Sequence, residues 1–195
     1  LLAAEFDSGT LNSGNRPTDT AGNTYQRLAS VNLGGTFELE IWCAVNIKAA
    51  ASNVVTITDT NGGVDSICCA EEWSGVGEAL AESSQGATGN SANLATSTLT
   101  NTSTSALVWV AGASAVATST LVLGSGFTNL TQNHTAFTNL GIESAVTTSS
   151  GTTSPAFTNT SASWACVAVV LRGQRGGFPS QVLVGDGMSR AEMAN

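Results

Sequence analysis

Apolar and polar residues alternate without a break over residues 37–48 (FELEIWCAVNIK). Phe37, Leu39, Ile41, Cys43, Val45 and Ile47 fall on one side, and Glu38, Glu40, Trp42, Ala44, Asn46 and Lys48 on the other. Successive side chains of a strand point to opposite faces, so this period predicts a strand with one face in a core and the other largely in water. As the longest clean alternation in the chain, it is assigned as the central strand of an antiparallel sheet. Shorter alternations predict strands over 24–31, 54–58, 64–73 and 140–147. Residues 106–116 (ALVWVAGASAV) and 164–172 (WACVAVVLR) are apolar on both faces, as expected of strands buried between layers.

Turn chemistry separates these runs. Asp19 to Asn23 and Gly34-Gly35 are turn signals, and Asp59-Thr-Asn61-Gly62-Gly63 is a hairpin signal. Residues 74–104 are rich in Gly, Ser, Thr and Asn and read as a long loop, with one helical turn at 78–82. No segment carries a capped 3.6-residue period. The fold class expected is all-β: an antiparallel β-sandwich of jelly-roll type with about eight to ten strands. Its core would hold Phe37, Leu39, Ile41, Cys43, Val45, Leu107, Trp109, Val167 and Val169.

The sandwich is expected to occupy residues 1–172. After Arg172 the chain turns Gly-rich, at Gly173, Gly176 and Gly177, and then carries Gln181-Val182-Leu183-Val184. Residues 173–195 read as a linker and tail, in which Gln181, Val182, Leu183 and Val184 form an arm that adds a strand to a neighbouring subunit. A disordered terminus is the alternative.

Charge narrows the function classes. Charged residues make up only 10% of the 195-residue chain, with fourteen acids against six bases and a net charge of −8. No Lys/Arg cluster exists to meet phosphates, which disfavours nucleic acid and anionic membranes as partners. No apolar run approaches a membrane span. A surface of hydroxyls and amides points to an extracellular or virion setting. The four cysteines, Cys43, Cys68, Cys69 and Cys166, lack C-x-x-C spacing and read as buried free thiols. A disulfide from Cys43 to Cys68 or Cys69 is the alternative.

Several short pieces recur in one order: DTAGNTYQRLASV, IWCAVNI, VVTIT, AEEWSGV, ALVWVAGA, GFTNL and SWACVAVVLRG. In that order the chain resembles β-sandwich modules of secreted bacterial proteins and of phage structural proteins, minor tail proteins among them. The resemblance spans residues 19–172. It implies a jelly-roll fold with a structural or glycan-binding role, and it carries over no catalytic residue.

The candidate chemistry is sparse. Glu38 and Glu40 share one strand face at roughly 6–7 Å, a spacing of the kind that serves a glycosidase. Jelly-roll glucanases carry an E-x-D-x-x-E motif, and here Cys43 stands where the acid/base should be. A solvated strand face accounts for the same residues. Trp42, beside Glu38 and Glu40, together with Trp73, would stack on a sugar; Trp109 and Trp164 read as core. In Glu71-Glu72 one carboxylate is expected to be buried or at the sheet rim. Asp59, Asn61 and Asp65 have oxygen ligands suited to Ca²⁺ but no bidentate Glu follows at the EF-hand position, and a tight hairpin explains them equally. His134 stands alone in a Thr/Asn loop. Asn101, Asn129, Asn133 and Asn159 head N-x-S/T sequons. No cofactor is implied. The expectation is a non-enzymatic structural subunit that associates with itself or with other subunits of a surface assembly. A carbohydrate-binding module is the alternative, and a glycan hydrolase the third reading.

Overall fold

A computed structural model describes residues 1–6, 16–58, 66–117, 120–174, 179–181 and 192–193. Among them every regular element is a strand, and no helix is long and apolar enough to cross a membrane. The first half contains β1 (Leu2–Phe6), β2 (Thr18–Asp19), β3 (Gln26–Leu33), β4 (Phe37–Cys43), β5 (Val55–Ile57), β6 (Ile67–Ala70), β7 (Trp73–Ser74) and β8 (Val76–Ala95). The second half contains β9 (Leu99–Asn101), β10 (Ala106–Ser114), β11 (Thr128–His134), β12 (Asn139–Thr147), β13 (Gly151–Thr153), β14 (Ala156–Gly173), β15 (Ser180–Gln181) and β16 (Glu192–Met193).

Two antiparallel sheets carry the fold, in the orders β3-β4-β1-β6 and β11-β12-β10-β14-β8. Their facing sides form one core. Ala3, Phe37, Leu39, Ile41, Ile67 and Cys69 come from the first sheet; Leu107, Trp109, Ile142, Val167, Val169 and Leu171 come from the second. The architecture is therefore all-β with sandwich-type packing. The central position given to the 37–48 alternation holds, since β4 lies between β3 and β1.

Three expectations require correction. The strand ends at Cys43: Asn46 adopts a left-handed φ of 52°, and Val45 and Ile47 are exposed at 38% and 42% rather than in the core. Asn tolerates that backbone better than other non-glycine residues, which lets the chain turn there. The polar face of β4 is not in water either, because every residue of β4 is buried. That face meets a second apolar layer of Leu2, Phe6, Tyr25, Trp42, Ile57 and Cys68, to which β5 contributes Ile57. Finally, the stretch read as a loop with a helical turn at 78–82 holds the twenty-residue strand β8. Its small polar residues show no apolar alternation, yet they pair along most of β14.

The centre of the five-stranded sheet, β10 with residues 139–144 of β12 and 164–171 of β14, is buried on both faces. Along one cross-strand row, Gly141, Gly112, Cys166 and Ala87 stand in register on β12, β10, β14 and β8. These small residues leave room for larger ones above them. A Cβ on Gly112 would stand 2.7 Å from Phe157 Cδ2, and one on Gly141 would stand 2.6 Å from Leu121 Cδ1. Leu94, Leu121, Phe127 and Phe157 thereby cover the outer face as a second core with Val108, Val110 and Val170. Leu94 and Phe157 belong to the far end of the β8/β14 ribbon. The ribbon changes register between Thr158 and Ala162, and such a bulge sharpens twist and bends the strand pair, here back over its own sheet.

The Cys43 disulfide does not form, and all four cysteines are free and buried. β1 lies between β4 and β6, so two strand spacings, about 9–10 Å, separate Cys43 from Cys68 and Cys69. That exceeds the Cα separation a disulfide bridges.

The close approach at Gly112 yields a test. Gly112→Ala should lower the unfolding free energy by about 1–3 kcal/mol through overpacking. In a Phe157→Leu background the penalty should shrink. Denaturant unfolding of the four proteins in a double-mutant cycle reads this coupling.

Candidate functional site

The chemistry-bearing side chains gather in three places, each fixed by strand register. The first is the outer face of β4. Register places Arg27 on β3 opposite Trp42, and Glu38, Glu40 and Trp42 alternate along one face. Arg27 Nη1 lies 2.5 Å from Glu40 Oε1 and 3.7 Å from Glu38 Oε1. Trp42 Nε1–H donates to Glu40 Oε2 at 2.8 Å, and the guanidinium sits 6.0 Å from the Trp42 ring centroid, within cation–π range. Trp42, Glu38 and Glu40 are exposed by only 4%, 1% and 1%. The sugar-stacking surface expected from these three residues is thus occupied internally: the ring is packed, and the carboxylates hold an arginine and an indole.

The second place is Glu71. Trp109 Nε1–H donates to Glu71 Oε2 at 2.8 Å, and Trp73 Nε1–H donates to the same oxygen at 3.0 Å. Thr131 Oγ1 approaches Oε1 at 3.5 Å. One buried carboxylate therefore joins the core of the second sheet to the rim where Trp73 sits. The expectation that one of the Glu71-Glu72 pair is buried is met by Glu71. Its role as acceptor for two indoles was not legible, because Trp109 is distant in sequence.

The third place is a cleft of about 120 Å³ beside Trp73. Tyr25, Val45, Ile47, Asn53, Val55, Glu72 and Trp73 line it, and the loop after β4 gives it an apolar wall. Three of its polar lining residues, Asn23, Tyr25 and Asn53, are held by Asp19. That carboxylate accepts hydrogen bonds from the Asn23 backbone at 2.9 Å, Asn23 Nδ2 at 2.7 Å, Tyr25 Oη at 2.9 Å and Asn53 Nδ2 at 3.1 Å. Burial works against the charge, but these donors together outweigh it and hold the Asp19 carboxyl at about 2. The same contacts pin the Asp19 to Asn23 turn to the 46–53 connector. Of the sequence-assigned glycan residues, Trp73 alone borders this cleft; Trp42, Glu38 and Glu40 lie apart from it.

Other candidates fall elsewhere. Asp59, Asn61 and Asp65 lie outside the described residues, as do Val182, Leu183 and Val184 of the arm. Gln181 is described and pairs with Trp73, while Ser180 pairs with Ser74. Among the described residues, no group of three His, Cys, Asp or Glu is placed to hold a metal ion. Burial pushes the Cys43, Cys69 and Cys166 thiols up, away from the reactive thiolate form.

One acid escaped the sequence reading. Glu143, on β12, points into the outer core and is 0% exposed. Its Oε2 accepts the Gly124 N–H at 2.7 Å, whereas its Oε1 is buried with no hydrogen-bond partner among the described residues. Burial raises its carboxyl to about 7 against the opposing effect of the Gly124 N–H. The alternation over 140–147 located the strand but gave no sign that a second layer covers its polar face.

Comparison of the chain with protein-family models, with curated proteins and with solved structures gives no match.

Glu143 makes stability depend on pH. A carboxyl at 4.5 when unfolded and about 7 when folded binds its proton more tightly in the native state. Its contribution is fully present below pH 4.5 and is lost as pH rises to about 7. Wild-type protein should lose roughly 2 kcal/mol across this window. Glu143→Gln should flatten that slope in urea titrations run at successive pH values.

Proposed function

We propose that the chain is a non-enzymatic structural subunit, a jelly-roll-type sandwich that forms part of an extracellular or virion assembly by associating with further copies or other subunits. The observation that carries this reading is the behaviour of the C-terminal segment. After β14 it returns to the sandwich twice. β15 pairs antiparallel with β7, and β16 pairs parallel with β5. Each contact is two residues long and lies on a small sheet at the margin of the fold. A segment that completes short sheets by strand addition can make the same pairings on a neighbouring copy, since the acceptor strands are identical. The low charge and the hydroxyl-rich surface fit this role. So does the internal use of Glu40 and Glu71, whose oxygens are committed to arginine and indole partners.

The full chain should therefore form oligomers in light scattering, and a version ending at Arg172 should lose mass per particle. Equal masses for the two, with both folded by circular dichroism, would remove the tail as the connector.

A second reading, a carbohydrate-binding module, gains one observation. The cleft beside Trp73 combines two aromatic side chains, Tyr25 and Trp73, with the polar side chains of Asn53 and Glu72. This moves the binding surface from the Trp42 face to the rim. On a glycan array, Trp73→Ala should abolish any binding, while Trp42→Phe should leave it intact. The opposite result would return the site to β4.

A further inference from the structure

β8 ends the five-stranded sheet, and its outer edge presents an unusual surface. From Ser83 to Ser91 it pairs residue for residue with β14, with no register shift inside that run. Among the described residues, no backbone hydrogen bond reaches the outer edge of this run from another strand. Edge strands are ordinarily blunted by Lys, Pro, a bulge or a short length. Here residues 83–95 (SSQGATGNSANLA) contain no charged residue and no Pro. The opposite edge of the sheet is treated differently, because β11 carries a register shift between Thr128 and Thr131.

We infer that this edge pairs with the same edge of a second copy, antiparallel about a two-fold axis at Ala87, to join two five-stranded sheets into one. Two features favour a copy over an unrelated strand. The first is size. With Ala87 opposite its counterpart, Gly86 faces Thr88, Gln85 faces Gly89, Ser84 faces Asn90, and Ser83 faces Ser91. Each larger side chain meets a small one, so this strand is complementary to itself in a way few other strands would match. The second is charge. Two copies each carrying −8 repel, and contact is least costly where neither brings an acid. Between Glu82 and Glu143 the sequence contains no Asp, Glu, Lys or Arg. An isologous contact of this kind closes a dimer by itself.

The inference deepens the self-association reading and rests on it, but it uses a different surface from the C-terminal segment. The test uses the full-length chain with Thr88→Lys and Thr88→Glu, since Thr88 is exposed and stands one residue from the axis. Mass is measured by light scattering over a range of concentrations. Each variant alone should halve the mass per particle, because like charges then meet across the axis. An equimolar mixture of the two should restore it, and a misfolded variant could not do so. A wild-type chain that is monomeric throughout would overturn both this inference and the assembly reading. An assembled wild type whose mass is unchanged by either substitution would overturn the β8 contact alone. Loss of mass in both variants without recovery in the mixture would also count against the pairing. Recovery in the mixture, together with an unchanged mass on truncation at Arg172, would support the β8 contact and set aside the tail as connector.

Discussion

The structure depends on one constraint: the centre of its five-stranded sheet is apolar on both faces and must be covered twice. β10 and the second half of β14 contain almost no residue that tolerates water on either side. The first sheet supplies one cover. The other has to come from elsewhere in the chain, and it comes largely from the same sheet. The β8/β14 ribbon is long enough to bend over and lay Leu94 and Phe157 on the row of Gly141, Gly112, Cys166 and Ala87. Small residues in that row set the depth to which Phe157 and Leu121 descend. Interiors packed to crystal-like density leave little slack for an added methyl group. Gly124 is held by the same geometry, since a Cβ there would stand 2.3 Å from the Ala156 carbonyl oxygen.

Burying two layers beyond the central core brings polar groups inside, and the chain resolves most of them in pairs. Three of its four indole N–H groups end on carboxylates: Trp42 on Glu40, and Trp73 and Trp109 on Glu71. The fourth, Trp164, donates to Ser91 Oγ at 3.0 Å. A charge-assisted hydrogen bond from an indole offsets part of the cost of burying a carboxylate. It also fixes the ring, so these pairs set the orientation of the largest side chains in the fold. Arg27 and Arg172 complete the pattern by meeting Glu40 and Glu82. Glu82 is held below the usual carboxylate range, because the hydrogen bonds from Ser103, Arg172 and Thr102 outweigh the opposing effect of burial. Glu143 departs from the pattern: among the described residues its one donor is the Gly124 N–H, and burial raises its carboxyl.

Where apolar residues alternate or run unbroken along a single strand, the sequence was readable. The periods at 37–43 and 140–147 and the apolar runs at 106–116 and 164–172 gave the strands, the facing core and the all-β class. Two things were not readable. The first was the outer layers: alternation on β4 looked like a solvated face because Glu38 and Glu40 are charged, and their partner Arg27 lies on another strand. The second was β8. Its residues are small and polar on both faces: Ser84, Gly86, Thr88 and Asn90 are exposed on the side towards β3, and Ser83, Gln85, Ala87 and Gly89 are half-buried on the side of Trp164 and the outer core. Burial alternates along 83–90, but a strand built of Ser, Gln, Gly, Ala, Thr and Asn shows no apolar period to mark it.

The edges of the two sheets follow from the same economy. At one side β6 lies beside β11, with Asn133 Nδ2 donating to the Cys68 carbonyl at 3.5 Å. At the other, β3 packs over β8, and the absent Cβ of Gly86 admits Val31 to close contact. The two sheets thus approach each other along both flanks, which shields the inner core. Shielding the core in this way does not pair the backbone of β8, because β3 sits over its face and not in its plane. The composition that makes β8 hard to recognise, small and uncharged over residues 83–95, is the composition that leaves its backbone accessible.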